Sequence, residues 1–213
     1  MKNFGEPESE KLRAPHLSYN DIRQKAEAFL QKYLPAQVAP IPIETIIDNH
    51  LRLNIIPVPG IRENADVDGM LSRDGEEIWI EDSIYANNPH RYRFTLAHEV
   101  GHLILHGDIQ GKIQYASFVD WKEHVPNQFE NDQYRHFEAQ TNSFAGLVLV
   151  PPSLLKSSFK KALSHATTKG LKLDLTSPLT QEYIASFIAD DFDASSQVVA
   201  IRLEKDKLWE HGK

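Results

Sequence analysis

At 213 residues and 24.3 kDa, the chain can form one substantial core with an appendage, and a second large core is not expected. A formal net charge of −7 and a pI near 5.8 argue against general affinity for nucleic-acid phosphates, and no apolar stretch reaches transmembrane length. Cysteine is absent, which removes thiol nucleophiles and thiolate metal ligands.

Residues 1–17 are polar, carry Lys2, Lys11 and Arg13, and lack the apolar run of a secretory signal; they read as a flexible segment, and a cytoplasmic protein is expected. Ser18 or Asn20 can cap a helix reaching residue 34, with Ile22, Ala26, Phe29, Leu30 and Tyr33 along one side. Pro40 and Pro42 interrupt. Residues 43–51 then read as a second helix and 53–58 as an apolar strand, closed by a turn at Pro59 and Gly60. After the turn at Asp74 and Gly75, residues 76–81 nearly alternate apolar and polar, and 66–72 can pair with them as a hairpin. Ile78, Trp79 and Ile80 are read as an open edge able to hold an extended peptide by main-chain hydrogen bonds; the alternative is a strand paired on both sides.

The next helix carries the chemistry. Asn88 is its expected N-cap, Pro89 its first residue and Gly107 its stop. Within it His98, Glu99 and His102 form an HExxH run, whose spacing raises both imidazoles on one helical face so that they can bind one zinc ion, with Glu99 beside the metal's open side. Leu96, Val100, Leu103, Ile104 and Leu105 leave almost no polar stripe, so the helix is expected to be buried. Burying three polar groups without partners costs about 2 kcal/mol or more apiece, which a metal relieves; the competing reading is core histidines that only hydrogen-bond. A hydrolytic zinc needs three protein ligands and one open position. His106 stands about 12 Å from His98 along a helix, too far to share an ion with it, and reads as structural or as a support for a ligand. Asp108 is one candidate for the third ligand.

The other candidate is Glu138. Phe137, Thr141, Phe144, Ala145 and Val148 recur at helical spacing, and Glu138 and Asn142 lie one turn apart on a neighbouring face. A carboxylate on this second helix can reach the zinc, with Asn142 behind it fixing a ligand's orientation. Tyr134, His136 and His124, on the preceding segment, are the candidates to stabilise an oxyanion. Further on, residues 181–203 suggest two helices joined by a tight turn, as in helix-turn-helix units. Asp190, Asp191 and Asp193 give that turn the wrong charge for DNA, and the second helix offers only Arg202 and Lys205, so packing or protein recognition is expected rather than nucleic-acid binding.

The run from Arg93 to His102, followed by Glu138, Asn142, Phe144, Ala145 and a closing Val150-Pro151, resembles the ImmA/IrrE family of metallopeptidases over about residues 21–152. The resemblance implies His98, His102 and Glu138 as zinc ligands and Glu99 as general base. Family members often have methionine where Val150 stands and alanine where Thr141 stands, departures that leave the implied ligands untouched. Helices first, then strands, then the HExxH helix suit an α+β, zincin-like domain with a small antiparallel or mixed sheet packed on helices. Its expected extent is 18–155, with a C-terminal helical extension over 156–213. The implied activity is zinc-dependent endopeptidase action on a protein partner, a helix-turn-helix repressor of a phage-immunity, mobile-element or stress-response circuit. The alternative is a non-proteolytic regulator, an antirepressor or toxin-antitoxin-type partner that uses zinc to hold its fold.

Overall fold

A computed structural model describes residues 11–36, 38–170 and 173–212; residues 1–10 of the expected flexible segment lie outside them. The first helix, α1 (Tyr19–Tyr33), starts at Ser18, whose hydroxyl accepts the Asp21 backbone N–H at 3.2 Å while the Asp21 carboxylate accepts the Ser18 backbone N–H at 2.8 Å. This reciprocal box satisfies donors that a helix end otherwise leaves open. Its Ile22, Ala26, Phe29 and Leu30 are buried, the apolar side expected from their spacing. The second expected helix is divided into α2 (Ile43–Ile46) and a π-helical turn (Ile47–Leu51).

Then come β1 (Asn54–Val58), α3 (Ile61–Ala65), β2 (Gly69–Leu71), β3 (Glu77–Glu81), α4 (Asp82–Asn87) and α5 (Pro89–Gln110). The remaining helices are α6 (Phe118–His124), α7 (Gln133–Leu149), α8 (Pro152–Thr168), α9 (Pro178–Phe192) and α10 (Ser196–Lys205). The result is an α+β fold of the zincin-like kind, mostly helical with a small mixed sheet. Among the described residues no helix is long and apolar enough to cross a membrane.

The sheet order is β1-β3-β2, with β1 parallel and β2 antiparallel to β3. The edge assigned to Ile78, Trp79 and Ile80 is therefore corrected: β3 is the central strand, Ile78 facing Ile55 on one side and Leu71 on the other. Its main-chain groups are used on both flanks, and Ile78 and Ile80 are fully buried. The two edges are β1 and β2, and the one that lines the cleft is β2. Ser72 N–H donates to the Glu77 carbonyl and Glu81 N–H to the Asp68 carbonyl, both at 2.9 Å; by antiparallel alternation Met70 bonds with Trp79, so the main-chain groups of Gly69 and Leu71 face outward. A Cβ on Gly69 would lie 2.7 Å from Thr95 Cγ2 and 2.9 Å from the Trp79 carbonyl oxygen. Glycine at that position lets β2 lie hard against α5.

Two apolar clusters hold the elements together. The larger joins α1, α5, α7 and the C-terminal helices through Leu96, Val100, Phe144, Phe159, Ile188 and Leu203. The smaller gathers Ile61, Met70, Ile109, Trp121, Phe129 and Phe137. Both α5 and α7 contribute to each, and the site opens where the two clusters meet.

Residues 11–17 run along the smaller cluster. Leu12 N–H donates to the Gln128 carbonyl at 2.8 Å, Glu130 N–H donates to the Leu12 carbonyl at 2.9 Å, and Arg13 pairs with Glu130. At the other end, the α9–α10 turn passes through Asp193 in left-handed backbone (φ 48°), and Arg93 of α5 donates to the Asp193 carbonyl at 2.9 Å. Arg202 of α10 is only 2% exposed. It pairs with Asp206 at 2.7 Å, donates to the Val150 carbonyl at 3.3 Å and contacts the Tyr19 hydroxyl. One of the two cations that might have met a phosphate is thus committed to packing. Because truncation would open a cavity at a residue 2% exposed and leave the half-buried Asp206 carboxylate with only Arg23 at 3.4 Å, Arg202→Ala is expected to cost about 3 kcal/mol, read as a lower midpoint in chemical denaturation.

Candidate active site

The helix bearing the HExxH run starts as its sequence dictates. The Asn88 side chain accepts the Arg91 backbone N–H at 3.2 Å, and Pro89 fills the first position. The four-residue spacing sets His98 and His102 side by side, their Nε2 atoms 3.1 Å apart. Regular geometry breaks at His106 (φ −129°, ψ 16°), one residue before the expected stop at Gly107, and α5 then continues to Gln110.

The partner helix α7 crosses close by because residue 101 is glycine: a Cβ there would lie 3.3 Å from both Phe144 Cδ1 and Thr141 Cα. That approach carries Glu138 to the imidazoles, with Oε2 3.2 Å from His98 Nε2 and Oε1 3.7 Å from His102 Nε2. One ligand atom from each of His98, His102 and Glu138 lies within 4.8 Å of the others, so the three could hold a metal ion. Tetrahedral zinc with bonds of roughly 2.0–2.1 Å to two imidazoles sets their nitrogens about 3.3 Å apart, close to what is found here. Two imidazoles and a carboxylate are also a donor set suited to a hydrolytic zinc. The residues present fit the ion. Asp108, the alternative third ligand, is exposed and outside the cluster.

The electrostatics favour a positive charge between the imidazoles and the carboxylates. Burial works against a charge on His98, but the Glu138 hydrogen bond and the fields of Glu99 and Glu138 outweigh it, holding the ring at about 9. His102, desolvated and beside His98, is pushed well below the ordinary imidazole value. The pair thus carries a proton where two carboxylates favour a cation. Glu99 is 4% exposed, and burial lifts its carboxyl to about 7, opposed by His98 and by the Leu71 backbone amide on the free edge of β2.

The remaining sequence candidates divide cleanly. Asn142 Oδ1 lies 3.1 Å from His98 Nδ1, the support expected of it. Tyr134 lines the cleft and hydrogen-bonds Glu138; burial first, and then that carboxylate, raise its hydroxyl pKa above the ordinary range. His136 is exposed and absent from the cleft wall. His124 is exposed on α6, paired with Asp120 at 2.7 Å, and also outside the cleft. Neither histidine is brought to the site, and Ile78, Trp79 and Ile80 do not line it.

Other residues there went unrecognised in the sequence. Thr141, fully buried, sets its hydroxyl 3.3 Å from His98 Nε2 and donates to the Glu138 carbonyl at 2.8 Å. Trp121 lies in the cleft wall with its indole N–H buried. It faces the Tyr134 hydroxyl, where its hydrogen-bonding pull works against the rise in that hydroxyl's pKa. Its only sequence signal is an aromatic on a short amphipathic segment.

The cleft holds about 230 Å³. It adjoins a wider groove of about 680 Å³ between α5, α7 and α10, the two sharing Asp68, Arg91, Phe94 and Asn142 as walls. The family model described as Peptidase_M78, the IrrE N-terminal-like domain, matches residues 84–204, a span that includes both site helices and most of α10. No curated protein matches the chain.

Proposed function

The chain belongs to the IrrE-like, ImmA/IrrE family of metallopeptidases, and from that premise we propose that it is a zinc-dependent endopeptidase whose substrate is a helix-turn-helix transcriptional repressor. The observation that carries the zinc assignment is the convergence of His98 Nε2, His102 Nε2 and the Glu138 carboxylate from two helices beside a buried Glu99. When bound there, zinc would supply Lewis acidity that activates water and polarises a peptide carbonyl. His98, His102 and Glu138 hold the ion, and Asn142 orients His98 through its Nδ1. Glu99 accepts a proton from water and returns it to the leaving nitrogen, and burial, which disfavours its charged form, suits a group that must both take and give a proton.

The outward main-chain groups of Gly69 on β2 offer hydrogen bonds to an extended substrate. The Tyr134 hydroxyl, which hydrogen-bonds Glu138 with the Trp121 indole N–H beside it, is the donor that can turn to meet charge developing on the carbonyl oxygen. The repressor assignment is supported by the family likeness and by the groove running on from the cleft, which accommodates chain on one side of the scissile bond. The expected setting is the cytoplasm, in a phage-immunity, mobile-element or stress-response circuit.

The test is incubation of the zinc-loaded protein with candidate helix-turn-helix repressors, taken first from any encoded beside it, followed by mass spectrometry. Two fragments whose appearance is blocked by a chelator are expected. An intact repressor held in a stable complex would replace this reading with that of a non-proteolytic regulator.

A further inference from the structure

Behind His102 lies a chain of polar groups that ends on the backbone of the N-terminal segment. His102 Nδ1 is 3.3 Å from His106 Nδ1, His106 Nε2 is 2.8 Å from Gln140 Oε1, and Gln140 Nε2 is 2.8 Å from the Pro15 carbonyl oxygen. We propose that these contacts form a one-way hydrogen-bond relay that fixes His102 in the tautomer able to bind metal, making His106 and Gln140 positioning residues; the proposal rests on reading His102 as a ligand.

The direction is set from the outer end. A backbone carbonyl only accepts, so Gln140 turns its NH₂ toward Pro15 and its oxygen toward His106. An amide oxygen also only accepts, so His106 carries its proton on Nε2. A neutral imidazole has one N–H, which leaves His106 Nδ1 bare. The hydrogen between the two rings must then come from His102 Nδ1. His102 Nε2 is consequently a free lone pair, on the side where His98 Nε2 and Glu138 stand. Reversing the amide would set two oxygens against each other at Pro15.

Water cannot relax this constraint. His106 is 1% exposed, His102 5% and Gln140 8%, and Phe137 lies against both imidazoles with ring centroids 4.3 Å away. The kink of α5 at His106 occurs where that ring meets Gln140. Pro15 is held in turn by the pairing of Leu12 with Gln128 and Glu130, so residues 11–17 close the outer end of a path that begins at the metal site. Metal-binding histidines generally need such a partner on the other ring nitrogen, and losing it weakens affinity by roughly 10–100-fold.

The test uses the full chain. Long-range proton–nitrogen correlation spectra of the imidazoles are expected to show His106 as the Nε2–H tautomer and His102 as the Nδ1–H tautomer, with zinc and without it. A His106 proton on Nδ1, or on both nitrogens, overturns the relay, and needs no variant to be seen. Zinc affinity, measured by competition with a chromophoric chelator, is expected to fall about 10–100-fold in His106→Phe, which keeps a ring against Phe137, and in Gln140→Leu. Gln140→Glu keeps the acceptor for His106 but loses the donor to Pro15, and is expected to bind zinc more tightly than Gln140→Leu. Folded leucine and phenylalanine variants with unchanged affinity would also overturn the proposal. A wild-type protein that binds no zinc would sink the metallopeptidase reading instead, while the metal-free spectra would still decide the relay.

Discussion

Replacing Glu99 by Gln is expected to lower peptide cleavage by about a thousandfold while the protein stays folded and keeps its metal, because positioned acid–base groups contribute roughly 10²–10⁴. The substitution preserves the volume of a side chain that is 4% exposed and leaves an oxygen to face the Leu71 backbone amide. It removes the capacity to take a proton. None of the three ligand atoms is altered, so zinc content after dialysis should match the wild type. Rate and metal content measured on the same preparation separate this outcome from unfolding. Undiminished cleavage would remove Glu99 from the mechanism.

Glu138→Ala is expected to act on the other quantity, lowering zinc affinity by at least about 100-fold. Structural zinc sites bind with roughly 10–16 kcal/mol over four ligands, so one ligand of three carries about 3 kcal/mol or more. The loss should be greater here than the ligand count suggests. Glu138 faces both imidazoles and is the carboxylate that most favours a positive charge on His98. Without it, two neutral imidazole nitrogens are the protein ligands left to the ion. The effect should exceed that of any change at His106, which touches the site only through His102. A competition titration gives both values, and equal affinity in Glu138→Ala and wild type would exclude that carboxylate as a ligand.

The parts of the site that were legible in sequence are those set by helical periodicity. His98 and His102 lie four residues apart on one helix, and the pairing of Glu138 with Asn142 repeats that spacing on another. The same rule separates the candidates before Glu138. Tyr134 is four residues away and shares its face, whereas His136 is two residues away and points across the helix, where it is exposed. His106 was placed correctly as too distant from His98 to share an ion, but its contact with His102 one turn away was not drawn from the spacing.

The strand misassignment has a different origin. The alternation in 76–81 identifies a strand, but whether it lies at an edge depends on a neighbour chosen from elsewhere in the chain. Here Asn54 pairs with Glu77 in parallel across α3 and β2, and nothing local in 76–81 encodes that. Trp121 and Gln140 were invisible for a related reason. Each reaches the site region through a contact with another segment, such as Gln140 with His106 across 34 residues.

The coordination itself is tested most directly by anomalous scattering at the zinc absorption edge, from crystals grown with one equivalent of zinc. A single peak bonded to His98 Nε2, His102 Nε2 and a Glu138 carboxylate oxygen, with a water completing the shell, is the predicted result. A peak that leaves Glu138 unbound, or one centred on another group such as Asp108, would contradict the account.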